Sequence, residues 1–508
     1  DDTVSLGTRG NEAGRFDSNS FSCNDLSTKR PASFPLLQTK TPCHSESRFI
    51  VMRNLLPHNS IYSEKNTKRC SVSESCCVSV LYSKPKTKFL KDNHMQNNVI
   101  LLLAGVAVAA FAGSCSKNEN SEPDLTPKNI TLTAMAPQAI ESSNEFGIEL
   151  FTKVAVSEDK NLMFSPLSAS TALTMLLNGC GGDTYTQLQG TLKYPSGMTI
   201  SDINEAYKSL VEQLLNADPK VKLALANAIF YRTGFVVKDP FLNVMNNDYK
   251  AYIKGLDFSA PSALTTINKW ASDNTNGKIP EVLKEISGQA VMFIMNALYF
   301  NGDWSYQFDK SLTQDCPFYP NGGSTVNVST MNGEVGSKTV NGNGFKAIEM
   351  PYGRTNFTMI VIVPDETLSD FYPSFTPTSW DQLTTNLDQI PEFGKRKVFM
   401  PKFKFSYEKY LNDQLGSMGM VDAFIPFQAD LSGISDASIY VSFVKQNTFV
   451  EVDEEGTEAA AVTTIGIDVT SMPSEPPQFV IDKSFIFAIR ERTTNTLMFI
   501  GQVVCPEE

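Results

Sequence analysis

At 508 residues, 41% of them hydrophobic and 19% charged, the chain has a globular composition with apolar material for a large core; length alone suggests two to four domains. A formal charge of -12, with no dense run of lysine and arginine to offset it, argues against nonspecific binding to nucleic acid or to anionic membranes. All three histidines, His44, His58 and His94, precede residue 95, so the remainder of the chain holds neither a Ser-His-Asp nor a Cys-His catalytic group, nor a histidine metal site.

No phosphate loop and no dinucleotide glycine pattern occurs, so no cofactor is expected. Five cysteines (Cys23, Cys43, Cys70, Cys76, Cys77) also precede residue 95. Cys180, Cys316 and Cys505 are too widely spaced for a disulfide framework or a zinc site.

Residues 1–94 are polar and aperiodic, and they read as a non-domain extension. At Met95 the character changes. Residues 99–112 are a 14-residue apolar run ending in Ala112-Gly113-Ser114-Cys115. That length suits the apolar region of a signal peptide and is short for a membrane span. A membrane anchor and a buried segment are the other readings of such a run. Small residues before a cysteine resemble the lipobox of bacterial lipoproteins. The resemblance implies a signal peptide over 95–114, cleavage before Cys115, a lipid on its sulfur, and an exported protein of the cell envelope or surface. Residues 115–129 then read as a polar tether.

From residue 130 onward, helices come first and large strands concentrate later, which predicts one α+β domain over 130–508. Ser165, Pro166 and Gly179 frame a helix as cap, first-turn proline and stop signal. Ile203, Tyr207, Leu210 and Leu214 fall at helical spacing. Residues 291–300 form an apolar run bounded by Asn301-Gly302, read as a strand buried on both faces; residues 359–363 are similar. Residues 485–489 and 497–504 flank Thr493-Thr494-Asn495-Thr496, which predicts a buried hairpin.

Between these strands lies Asp453-Glu454-Glu455-Gly456-Thr457-Glu458-Ala459-Ala460-Ala461-Val462-Thr463-Thr464-Ile465. Read with period two, one face (Thr457, Ala459, Ala461, Thr463, Ile465) is uncharged and mostly small, and no proline occurs from Glu454 to Met472. Every amide can donate and nothing on that face is charged, so the segment can enter a sheet. Its alanines make it a poor exposed strand, so it can also wait as a loop.

This stretch resembles the reactive-loop hinge of the serpins, the serine protease inhibitor family. Asn161-Leu162-Met163-Phe164-Ser165-Pro166-Leu167-Ser168 looks like the family's first signature. The segments 225–230, 267–279, 401–404, 415–424 and 499–503 are similar to others, and Asn296-Ala297-Leu298-Tyr299-Phe300-Asn301-Gly302-Asp303-Trp304 is highly characteristic. They run in family order from about residue 140 to residue 506.

The resemblance implies a serpin fold with a large central β-sheet, two further sheets, about nine helices and an exposed reactive loop. It implies an inhibitor, not an enzyme: a monomer whose partners are proteases trapped as covalent complexes. Glu454, Glu455, Gly456, Thr457, Ala459, Ala460 and Ala461 match the hinge. Asn161, Ser165, Ser168 and Asn296 match the shutter under the sheet, and Trp304 the breach where insertion begins. Gln446 stands where many relatives carry a shutter histidine. Loop length places the reactive bond at Thr470–Ser471, with Val469 and Met472 as alternatives. No lysine or arginine lies between Gly456 and Glu475, so proteases requiring a basic residue before the cut find no bait, whereas elastase-like or subtilisin-like serine proteases and papain-like cysteine proteases suit it. No basic helix face suggests a heparin-type activator. The alternative is a non-inhibitory serpin-fold binding protein, against which the small hinge residues argue.

Overall fold

The computed structural model describes residues 125–457 and 476–507, and no helix among them is long and apolar enough to cross a membrane. The chain begins with α1 (Ala136–Ala155), β1 (Leu162–Phe164), α2 (Pro166–Leu177), α3 (Gly182–Thr191) and α4 (Ile200–Leu214). Next come β2 (Val221–Arg232), α5 (Asp239–Asn247), β3 (Tyr252–Leu256), α6 (Pro261–Asn274) and β4 (Met292–Asp303). The middle holds β5 (Gln314–Phe318), β6 (Val326–Gly342), β7 (Phe345–Pro351), β8 (Phe357–Pro364), α7 (Leu368–Phe371), α8 (Pro377–Asp388) and β9 (Gly394–Pro401). The chain closes with β10 (Phe403–Tyr410), α9 (Asn412–Ser417), β11 (Lys445–Val452), β12 (Gly456–Thr457), β13 (Gln478–Val480), β14 (Phe485–Glu491) and β15 (Thr496–Val503).

The central sheet has six strands in the order β10-β11-β12-β4-β2-β3. The other nine form a second hydrogen-bonded network, β1-β15-β14-β8-β7-β6-β9-β13, with β5 on β6. β6 changes neighbours along its length: residues 330–337 pair with β9 and residues 338–342 with β7. The network therefore holds the two further sheets. With nine α-helices among the described residues, the architecture is α+β and has the sheets and helices that the serpin resemblance implies.

Local chemistry explains the elements that carry the site. Ser165 caps α2, its hydroxyl accepting from the Ser168 N–H at 3.2 Å, with Pro166 in the first turn. Nearly every side chain of α2 is buried, because the helix lies under the central sheet against β4 and β15. Thr199 and Asp202 form a capping box that starts α4. β8, β14 and β15 are buried throughout, matching their apolar runs. A second apolar cluster, including Phe230, Ile267 and Leu283, lies where α6 crosses β2 and β4.

Two boundaries differ from the sequence reading. Asn301-Gly302 does not end β4, which runs on to Asp303 because Gly302 pairs with Val221 on one side and Thr457 on the other. Residues 125–129, read from composition as tether, are bonded to the body. The buried Asn356 side chain acts as a strand partner: its Oδ1 accepts from Lys128 N at 2.7 Å and its Nδ2 donates to Lys128 O at 2.9 Å.

Candidate functional site: a hinge wedged between two strands

After β11 the chain turns sharply. Asp453 Oδ1 accepts from the N–H groups of Glu455 (2.9 Å) and Gly456 (3.2 Å), and Asp453 N donates to Gly456 O at 3.0 Å. The turn delivers β12 into the central sheet. Thr457 pairs with Val452 of β11, while Gly456 and Thr457 pair with Asp303 and Gly302 of β4, all antiparallel. Two residues of the segment that resembles a hinge thus already lie as a strand between β11 and β4.

Close packing fixes residue identity here. A Cβ on Gly456 would sit 2.1 Å from Gly302 O and 2.8 Å from Asp303 Cα, so only glycine fits against the β4 backbone. The buried Thr457 shares a 2.6 Å hydrogen bond between its Oγ1 and the Tyr352 hydroxyl, and Asn301 Nδ2 donates to its carbonyl at 3.3 Å. Trp304 locks the turn at three points. Its N–H donates to Glu455 O at 2.8 Å, its Nε1 donates to Asp453 O at 2.9 Å, and its ring stacks on Tyr352 with centroids 4.3 Å apart.

The acidic residues of the turn are held in place. Lys310 pairs with Glu455. Glu454 is buried, accepting from Thr313 Oγ1 at 2.7 Å and pairing with Lys402 Nζ at 3.3 Å. Burial pushes the Glu454 carboxyl up, but the Thr313 and backbone hydrogen bonds and the Lys402 charge outweigh it and hold the group below the ordinary range. A carboxyl with a depressed folded pKa contributes stability that is present above its unfolded value, about 4.3, and lost as pH falls through the folded value. The turn should therefore loosen in acid below about pH 4. Melting curves from pH 3 to 7 should show a shallower acid loss for Glu454→Gln than for the natural protein; identical slopes would remove Glu454 from this role.

Below Thr457, β11 and β4 enclose a cavity of about 780 Å³, floored by α2 and reaching to α6. Ser165, Ser168, Asn296 and Gln446 all line it, as does Thr457 at the end nearest the turn; Trp304 does not line it. On β11, Gln446, Thr448, Val450 and Val452 alternate inward and are buried. The Gln446 carboxamide behaves as a peptide unit toward Ser165: its Oε1 accepts from Ser165 N at 3.2 Å, and its Nε2 donates to Ser165 O at 2.9 Å. Ser165 Oγ in turn donates to Met498 O at 2.8 Å. Gln446→Leu would leave the buried Ser165 N–H without a partner, at about 1–3 kcal/mol, while Ser165 O keeps its bond from Ala169 N at 3.0 Å. The urea midpoint of this variant should fall clearly, and an unchanged midpoint would show the pair to be dispensable.

Across the cavity, Asn296 Nδ2 donates to Asn227 Oδ1 at 2.7 Å, and Asn227 donates to the Tyr207 hydroxyl and to Tyr249 O. Asn296 Oδ1 is shielded from solvent and accepts no hydrogen bond from the described residues.

Asn161 stands apart from this group. Its Oδ1 accepts from Val504 N (2.8 Å) and its Nδ2 donates to Cys505 O (2.7 Å), so it pins the end of the chain and does not line the cavity. Ala459, Ala460, Ala461, Val469, Thr470, Ser471, Met472 and Cys115 lie outside the described residues. The residues that sequence reasoning passed over are Tyr352, Thr313, Asp453 and Lys402. Lys402 lies within the 401–404 motif, where its presence was legible but its Glu454 partner was not.

Comparison with known proteins agrees with this geometry. The family model described as serpin (serine protease inhibitor) matches residues 141–506. An "uncharacterized serpin-like protein" of Methanosarcina mazei is 31% identical, covering 80% of this chain and 98% of that protein. A leukocyte elastase inhibitor of Xenopus laevis is 34% identical over 71% of this chain and 97% of its own length. Among solved structures, the thermophilic serpin tengpin in its native state shares 30% identity at a TM-score of 0.67, covering 75% of this chain and all of that one. With its hinge seated between two strands above an open cavity, and its motifs in order across the body, this chain belongs to the serpin family.

Proposed function

We propose that the chain inhibits proteases by a suicide mechanism. The protease nucleophile attacks the carbonyl of the bait residue, taken as Thr470, within the candidates Val469 to Met472. The peptide C–N bond breaks, the Ser471 amine leaves with a proton, and the bait carbonyl stays bonded to the protease as an acyl-enzyme. The freed hinge then continues β12 downward between β11 and β4, and draws the protease along before water can release it. Distortion of about 1 Å at the captured catalytic centre costs on the order of 100-fold in rate.

What supports the reading most is β12 itself, two residues of added strand above an unfilled slot. Continuing its register sets Ala459 beside Phe300 and Val450, and Ala461 beside Leu298 and Thr448. Thr463 then arrives beside Asn296 and Gln446, where its hydroxyl meets the unused Asn296 Oδ1. Every inward residue over this span is small, as filling a narrow slot requires.

The loop lacks a basic bait, so elastase-like or subtilisin-like serine proteases are the preferred targets and papain-like cysteine proteases the cross-class ones. We place the mature protein, a monomer and not an enzyme, at the cell envelope, anchored by a lipid on Cys115, after removal of residues 1–114. Cutting the loop within 469–472 should raise the melting temperature by at least about 10 °C, because the strand left on the hinge side can then fill the slot. An unchanged melting temperature would favour the non-inhibitory binding protein instead.

A further inference from the structure

Between residues 116 and 508 of this acidic chain there is one run of three consecutive basic residues, Lys395-Arg396-Lys397. It lies at the start of β9. The first strand after the loop, β13, runs parallel beside it, with Gln478 opposite Lys397 and Lys397 N donating to Pro477 O at 3.1 Å. The C-terminal stem of the loop therefore leaves the body next to this basic run.

Four lysines around the turn are matched: Lys310 to Glu455, Lys402 to Glu454, Lys278 and Lys404 to Glu451. None of Lys395, Arg396 and Lys397 forms an ion pair among the described residues, although Glu334 is the register neighbour of Lys397 on β6. Lys395 is exposed, and Lys397 holds its ammonium 5.4 Å from the Phe399 ring centroid. The two share one face of the strand, and Arg396 takes the other. Among the described residues Lys395 has no ion-pair partner and Lys397 has the Phe399 ring alone as a charge partner.

Their position gives them something to meet. A bond cut within 469–472 lies at most about 27 Å along the chain from Pro477. A protease domain of ~250 residues has a radius of gyration of about 18 Å, so a protease on the loop is large enough to reach the start of β9.

We propose that Lys395 and Lys397 are a docking surface for an acidic flank of the target protease, steering its encounter with the loop. This rests on a protease attacking the loop, but not on trapping, since cleavage and trapping begin with the same encounter.

The test is the second-order rate at which a subtilisin cleaves or is captured by the loop, measured at 25 and 300 mM salt. Lys395→Glu/Lys397→Glu should slow it by about tenfold at low salt, with the difference closing at high salt. The stoichiometry of capture and the melting temperature should not move. Neutralising the acidic residues beside the subtilisin cleft should remove the difference between natural and variant chains. Rates within twofold at both salts would overturn the proposal, as would a loss independent of salt. It would also be overturned if the variant lost only an acceleration by a sulfated polysaccharide, because the basic face would then serve a polyanion. Absence of a covalent complex alongside a salt-dependent cleavage rate would instead sink suicide inhibition and leave the docking surface standing.

Discussion

If the chain traps proteases by loop insertion as proposed, Ala461→Arg is expected to convert it into a substrate. The register of β12 brings position 461 between Leu298 and Thr448 when the loop inserts, both of them buried inward-facing residues. A guanidinium there loses its water and finds no carboxylate, a penalty of several kcal/mol. In the proposed mechanism insertion races hydrolysis of the acyl-enzyme, and each 1.4 kcal/mol added to the insertion barrier slows it about tenfold. A penalty of about 3 kcal/mol therefore sends nearly all of the flux to hydrolysis. Denaturing gels should show a cleaved chain and a free protease, with no joined band. Glu458→Arg supplies the control, since continuing the same register would turn position 458 away from the slot. It should trap as the natural chain does. Equal trapping by both variants would show that the loop does not enter along this register.

Trp304→Ala should cost about 3–5 kcal/mol, the usual range for emptying a large buried aromatic site. The residue is buried, stacks on Tyr352, and donates through Nε1 to Asp453 O. Its loss removes one wall of the turn that feeds β12 and frees Tyr352, which holds Thr457. The melting temperature should fall by about 5–10 °C. On mild warming the variant should also lose inhibitory activity faster, because the hinge is no longer held at its first two residues. Trp304→Phe keeps an aromatic ring against Tyr352 and gives up one hydrogen bond, so its loss should be nearer 1 kcal/mol. A Phe variant as damaged as the Ala variant would mean that the indole N–H, and not the stacking, governs the turn.

The contrast between these residues shows what a linear reading can reach. Ser165 announced itself as a cap because capping is local, and the same position proved to meet Gln446 and Met498 O. The small inward face of the hinge was legible because strand alternation is also local. Tyr352 was not, since its role comes from Trp304 and Thr457, which only the folded sheet brings to it. Asn301-Gly302 misled for the same reason: as a dipeptide it reads as a stop, yet strand partners on both sides override that preference. Asn161 sits in the signature segment with Ser165 but serves the end of the chain, three residues' separation being enough to place it under another sheet. Gln446 in place of histidine is visible in the sequence, but its two-point match to the Ser165 backbone exists only where the fold brings β11 against the start of α2.

The most direct test of suicide inhibition is to mix the protein with an elastase, a subtilisin and, separately, a papain-like protease, and to run denaturing gels. The account predicts a band near the summed mass that survives SDS, with the released C-terminal peptide beginning within residues 470–473. Complete cleavage of the loop by all three proteases with no such band would contradict it.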